Sequence, residues 1–247
     1  MKNRTILLGL LLWFVSACSS FNPFEGEGDY TEKRVELSGI THIENLNIFK
    51  IILIQDDEEY VLFKGGENII EEVSVSLENE CLKIDHDYRN LARNFDQIIA
   101  EIHLSNIKAI TVNSPANISS EGNLSGDYMD INITNDAELV EMDLNINLSS
   151  LRFHSHGTPT GKYIFSGNCP TTNFILNGIT NIQATDLKSD NVTIAQNGIG
   201  EAHVWAEKKL NVTTYNTGNI YYKGNPEIII NRIKINNQDN DAQVLPE

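Results

Sequence analysis

An apolar ladder that recurs about every 20 residues limits what this chain can fold into. Between Lys108 and Gly224, Val112, Ile133, Phe153, Phe174, Ile194 and Thr214 follow one another at steps of 21, 20, 21, 20 and 20. Two positions earlier, Ile110, Ile131, Leu151, Thr172, Val192 and Val212 repeat those steps. Residues two apart on a strand face the same side, so both ladders point inward together. A fixed period of this length with strand-type alternation is the mark of a β-solenoid, whose coils stack one on the next. The expected fold class is therefore all-β.

The breaks between strands agree with that reading. Ser114-Pro115, Asn135-Asp136, His156-Gly157, Gly178, Asn197-Gly198 and Thr217-Gly218 follow the ladder in successive coils. Gly, Asn and Asp supply the left-handed backbone that tight corners need. A third, weaker face is expected through Leu124, Leu144, Phe165 and Leu187. One coil cannot bury its own apolar face, so the core exists only when coils stack. The solenoid and its cap are expected over 107–235, with Ile228–Ile235 closing the end and a polar tail over 236–247. A less regular β-rich part is expected over 34–106. There Ile48–Gln55 and Tyr60–Lys64 read as a hairpin around the acidic tip Asp56-Asp57-Glu58-Glu59. Glu67–Glu72 reads as one helical turn with Ile69 and Ile70 packing down. Val73–Leu77 and Cys81–Asp85 alternate about a turn at Asn79-Glu80.

The N-terminus carries an address. Lys2 and Arg4 precede the apolar run Ile6–Val15, which is too short to span a bilayer. Val15-Ser16-Ala17-Cys18 then resembles a bacterial lipobox, with Val where Leu is commonest. The resemblance implies removal of 1–17 and acylation of Cys18, with 18–33 left as a flexible polar tether. Ser19, rather than Asp, after the cysteine points to the outer membrane. The partner expected at this end is the membrane itself, held through lipid. The formal charge of -16 becomes -18 once Lys2 and Arg4 leave. That sign argues against nucleic acid as a partner, because the phosphate backbone needs Lys and Arg. Cys81 and Cys169 lack metal-ligand spacing. They are expected to be free buried thiols.

Three phrases in order resemble the head GIN domain family (DUF2807), common in Bacteroidetes and named for auto-transporter adhesins. They are Val35-Glu36-Leu37-Ser38-Gly39-Ile40-Thr41-His42-Ile43, then Glu67–Val73 with Leu82-Lys83-Ile84, then Leu210-Asn211-Val212 through Gly218–Pro226. The serine–glycine corners usual in that family stand here as Asn197-Gly198-Ile199-Gly200 and Asn216-Thr217-Gly218-Asn219. The resemblance implies a right-handed parallel β-helix on an exported or lipid-anchored protein. It brings no catalytic residues.

Chemistry is sparse. His154 and His156 share a strand face, but with Phe153 inward both point out and no acid or Cys stands near them in sequence. Asp136 with Glu138, and Glu141 with Asp143, are paired acids two apart. Neither pair meets an acid one coil on, where Gly157–Lys162 lies. No catalytic, metal or cofactor site is expected, and the chain is expected not to be an enzyme. Trp205, Tyr215, Tyr221 and Tyr222 are the candidates for stacking a glycan or a protein ligand, although some of them would instead close the core near the cap. The expected function is a non-catalytic binding surface at the cell envelope. A polysaccharide-active β-helix enzyme and a structural or stress-related envelope protein remain the alternatives. Cys18→Ser is expected to abolish incorporation of labelled palmitate and to move the protein from the membrane to the soluble fraction.

Overall fold

The computed structural model describes residues 26–87, 96–234 and 240–247. The leader, Cys18 and the start of the tether lie outside the described residues. Strands make up 67% of the described residues and helix 2%, wound as a β-solenoid of about six turns.

The regular coils run from β8 to β18. β8 (Ala109–Val112) lies on one face, here face A, and β9 (Ala116–Glu121) on the next, face B. β10 (Leu124–Ile133) passes the third face and returns to face A. β11 (Val140–Ser155) travels a whole coil, and β12 (Thr160–Asn168) with β13 (Thr171–Leu176) make the next. β14 (Ile179–Gln196) and β15 (Ala202–Thr214) each wrap around again. β16 (Ile220–Lys223), β17 (Glu227–Arg232) and β18 (Val244–Pro246) finish the stack. Every pairing among these strands is parallel.

The interior is built of rows running along the stack. On face A, Ile110, Ile131, Phe153, Phe174, Ile194, Val212 and Ile230 oppose one another in turn. On face B, Ile118, Met142, Tyr163, Ile182, Ala202, Ile220 and Val244 do the same. Burying one such aliphatic side chain stabilises by about 1.5–3 kcal/mol, and each row repeats that gain coil by coil. Phe153 sits in an aromatic knot, with ring centres 4.6 Å from Tyr163, 6.0 Å from Phe165 and 6.4 Å from Phe174.

The ladder expected from spacing needs one correction. All of its residues are buried, but they do not form a single column. Val112 opposes Ile133, and Phe153 opposes Phe174, yet Ile133 opposes Ser155 and Phe153 opposes Ile131. Ile194 likewise opposes Val212, and Thr214 opposes Gln196. The coils are unequal. The turn after β10 is long, running through Leu139 in left-handed backbone at φ 58°. Between Ala184 and Lys188, β14 carries residues that β15 does not match. A slip of two keeps every side chain on its own side of the sheet, so parity survives where register does not. The third face shifts similarly: Leu144 opposes Phe165, but Leu124 opposes Ile146 and Leu187 opposes Gly167.

The N-terminal part is wound into the same stack out of sequence order. β2 (His42–Asn45) pairs with β8, and β3 (Phe49–Gln55) pairs with β9. β4 (Tyr60–Gly66) leads through the short helix α1 (Glu67–Ile70) to β5 (Val73–Glu78). β6 (Cys81–His86) and β7 (Ile98–Leu104) then lie on the far side of β2 and β3. The expected β3–β4 hairpin is therefore absent, because β7 lies between the two strands and pairs with both. The acidic tip is a clamp instead. Asp56 meets His103 at 2.6 Å, Glu58 meets Arg34 at 3.2 Å, and Glu59 accepts from the Ser105 hydroxyl at 2.6 Å and from the Gly39 amide. Spacing alone cannot reveal a third strand arriving from 40 residues away.

Antiparallel strands seal this end. β4 pairs with β7, and β1 (Tyr30–Glu36) pairs with β4. β5 folds on β6 through Asn79 and Glu80, both at positive φ. Ile69 and Ile70 of α1 are buried, as expected. The expected tether is too long, since 26–33 is tied down. The helix amides of Glu67 and Asn68, which lack intrahelical partners, donate to the carbonyls of Asp29 and Glu27. The tail likewise does not fray at 240–247. Ala242 is buried, β18 pairs with β16, and the Asn240 amide donates to Thr214 O at 2.6 Å. Of the expected cap Ile228–Ile235, Ile235 lies outside the described residues, and β17 is the last rung of face A and is exposed throughout.

The Tyr163 hydroxyl is buried and has no partner among the described residues. A buried unpaired hydroxyl costs about 1–3 kcal/mol. In denaturant unfolding, Tyr163→Phe is expected to raise stability by about 1 kcal/mol, whereas Phe153→Ala is expected to cost about 3–5 kcal/mol.

Candidate functional site

Alternation that sends one residue inward sends the next to solvent, so the inward rows of face B imply outward rows beside them. The first runs Lys50, Asn117, Glu141, Lys162, Asn181, one from each successive coil. The second runs Ser119, Asp143, Ile164, Gln183, His203, Tyr221. Neighbours in a row stand about 4.8 Å apart. Between the rows lies a recess of about 280 Å³ lined by Lys50, Asn117, Ser119, Glu141, Asp143 and Lys162. A second recess, of about 690 Å³, adjoins it and is walled by Pro115, Leu139 and Thr160. Leu139 is 71% exposed, held outward by the long turn.

The charges here are uncommitted. Lys64, Lys83, Lys188 and Lys208 each meet a carboxylate within 4.0 Å. No ion pair within that distance engages Lys50, Lys162, Glu141 or Asp143 among the described residues. Glu141 lies beside Lys162 on the next coil, and Asp143 beside Ile164, so neither acid of this pair faces another acid across coils. Asp136 and Glu138 are exposed on the long turn.

The aromatic candidates divide. His203 and Tyr221 stack at 4.6 Å in the second outward row, and Glu247 holds His203 Nδ1 at 2.7 Å. Trp205 sits between Lys188 and Lys223 on adjacent coils. The Lys223 ammonium lies 4.0 Å from its ring centre and that of Lys188 5.7 Å. Tyr222 packs against the core, and Tyr215 is half-buried. The structure therefore brings Tyr221 into line with the recess, and leaves Trp205 and Tyr222 occupied by their own neighbours. Sequence reasoning missed Lys50, Asn117, Lys162 and Asn181. Their only signal is outward parity at matched coil positions, which needs the true register.

Elsewhere, the His154 and His156 rings lie 3.6 Å apart, and His156 Nε2 is 3.3 Å from Asn132 Oδ1. Among the described residues no group of three His, Cys, Asp or Glu is placed to hold a metal ion. His103 stacks on Tyr60 at 4.0 Å, with Arg34 over the other ring at 3.4 Å. Both described cysteines are free; Cys169 is buried and its thiol is pushed up to about 11 by burial, while Cys81 is only partly buried. No described helix is long and apolar enough to cross a membrane.

The family model described as "Putative auto-transporter adhesin, head GIN domain" (DUF2807) matches residues 40–226. The chain belongs to this family. Its head GIN fold also appears in solved structures. A putative adhesin from Bacteroides fragilis superposes with a TM-score of 0.79 at 18% identity, over 92% of this chain and 100% of that one. A putative adhesin from Parabacteroides distasonis gives 0.68 at 17%, over 90% and 98%. A protein of the same organism described as a "putative lipid binding protein" gives 0.66 at 18%, over 90% and 98%. No curated protein matches the chain significantly.

Burial, followed by the charge of His156, holds His154 below the usual histidine value of 6.5. A histidine lowered by folding contributes stability that is present above 6.5 and is lost as pH falls through its folded value. The thermal midpoint is expected to fall between pH 7.5 and pH 5.5, and His154→Gln to flatten that fall.

Proposed function

We propose that this head GIN protein is a lipid-anchored, non-catalytic binding protein of the cell envelope, held at the outer membrane through Cys18. Its ligand surface is the recessed part of face B, and its ligand is a glycan or an extended protein segment. One observation carries the reading: Lys50, Glu141, Asp143 and Lys162 line an open recess, and among the described residues none of them has an ion-pair partner within 4.0 Å. Charges held on rigid strands, with the Asn117 and Asn181 amides beside them, suit a ligand rich in hydroxyl or peptide groups. Tyr221 extends the same line as an aromatic platform. Trp205, between Lys188 and Lys223, and Tyr222, packed on the core, do not line the recess. The adhesin names of the family and of the solved relatives support an exposed position.

The carboxylate pair Glu141 and Asp143 keeps a second reading in view, a polysaccharide-active enzyme, because paired acids in a cleft are what glycoside hydrolysis uses. A glycan and matrix-protein array probed with the Cys18→Ser chain separates the readings. Lys162→Ala is expected to weaken the strongest array ligand by about 10–100-fold, and Glu141→Gln to change binding without changing any product. Release of sugar fragments that stops with Glu141→Gln or Asp143→Asn would reject a binding-only role. Protection from protease on intact cells would place the protein on the periplasmic side and favour a structural role.

A further inference from the structure

Two residues before each member of the first outward row of face B stands another line: Ile48, Pro115, Leu139, Thr160, Ile179 and Ile199. Strand parity puts it on the same side of the sheet, at the corner where face A turns into face B. Ile48, Leu139, Ile179 and Ile199 are 44%, 71%, 44% and 54% exposed. Four of the eleven exposed large apolar residues described thus share one line. Ile48, Pro115, Leu139 and Thr160 wall the larger recess together. At about 4.8 Å per coil, the line is about 24 Å long. Single apolar side chains are ordinary on a surface, whereas a contiguous stripe beside a polar row is what an interface has.

The row beside the stripe reads, coil by coil, Lys50, Asn117, Glu141, Lys162, Asn181, Glu201. Its signs run plus, neutral, minus, plus, neutral, minus. Laid against its own reverse, every charge meets its opposite. Lys50 faces Glu201, Asn117 faces Asn181, and Glu141 faces Lys162. All six point outward from equivalent places in their coils, so one reversal opposes all of them at once. The stripe reverses in the same register: Ile48 faces Ile199, Pro115 faces Ile179, and Leu139 faces Thr160.

We propose that this part of face B binds a second copy of the chain, about a two-fold axis that runs along the strands midway between the coils of Glu141 and Lys162. The inference rests on face B being a surface that binds protein, and it names the strands of a second copy as the ligand. The order of the charges selects that occupant. A chain of formal charge -16 repels its copy over most of its surface, so a self-contact needs a strip whose charges cancel. This row holds two cations and two acids, in the one order that pairs them under reversal. An acidic glycan would satisfy the lysines and be repelled by Glu141 and Glu201. A two-fold axis along the strands inverts the order of coils and sets each row on its own counterpart, as a self-matching contact requires. An axis along the stack would instead set like charges together. The second outward row, where Asp143 faces Ile164, forms the rim.

Sedimentation of the detergent-solubilised full-length chain tests this. The parent is expected to be a dimer. Lys50→Glu alone and Glu201→Lys alone are each expected to weaken it at least about tenfold, because each sets like charges opposite at two places. An equimolar mixture of these two variants is expected to restore the dimer. The acid introduced at 50 then faces the lysine introduced at 201, and the unaltered Glu201 and Lys50 face each other. The two positions lie about 24 Å apart within one chain, so only a partner can supply the repair. Leu139→Asp is expected to yield monomer, and Tyr128→Asp, on an exposed site off this face, to leave the dimer intact. A dimer indifferent to Leu139→Asp or to Lys50→Glu, or a mixture that does not restore association, would overturn the proposal. A monomeric parent that still binds an array ligand through Lys162 would overturn this inference alone. A parent that neither self-associates nor binds the array would overturn the wider reading of face B with it.

Discussion

Hydrogen bonding between successive coils is the constraint on which this molecule rests. Each strand of the stack satisfies its backbone groups on the coil before and the coil after, because buried peptide groups need partners. That requirement fixes the spacing along the axis and leaves side chains to alternate in and out. The apolar rows through Phe153 and Tyr163 follow from it, and so do the polar rows through Glu141 and Lys162. The recess on face B is thus a by-product of the same periodicity that builds the core.

Stacking also creates two ends, and the chain treats them differently. At the N-terminal end it departs from parallel order: β7 slides between β3 and β4, and β1 and β5 pair antiparallel on the outside. Charged strands and the clamp from Asp56, Glu58 and Glu59 finish that end. At the other, the segment from Asn240 returns to pair β18 with β16, yet β17 keeps an apolar outer edge. One end is sealed by the chain's own residues; at the other, among the described residues, the cross-section of the core is left open.

The interior is not uniformly apolar, and Ser155, Thr180 and Gln196 are buried polar residues beside corners. The Ser155 hydroxyl accepts from the Asn177 amide at 2.8 Å and from Thr180 Oγ1 at 2.9 Å. Gln196 donates to Gly200 O at 2.7 Å. These groups meet backbone that the turns leave unpaired. Close stacking of corners also explains the glycine at 178, which has φ 64° and where a Cβ would run into the backbone of Thr158 and Pro159. A side chain there would need both a left-handed conformation and space that the coil below occupies.

The solenoid, the inward parity of its ladders and the β5–β6 hairpin were legible in the sequence, because alternation and turn residues are local signals. So was the family, through the phrases at Val35–Ile43 and Leu210–Pro226. The register was not legible. The long turn through Leu139 and the unmatched residues between Ala184 and Lys188 each slip the rows by about two, and mean spacing averages over them. Without register, Lys162 cannot be placed beside Glu141, nor Tyr221 in line with Asp143. The sequence by itself determined which residues face the core, since that depends only on the two-residue period of a strand. Only the tertiary structure decided which coil sits against which, since pairing across 20 or more residues depends on the lengths of turns and on strands arriving out of order.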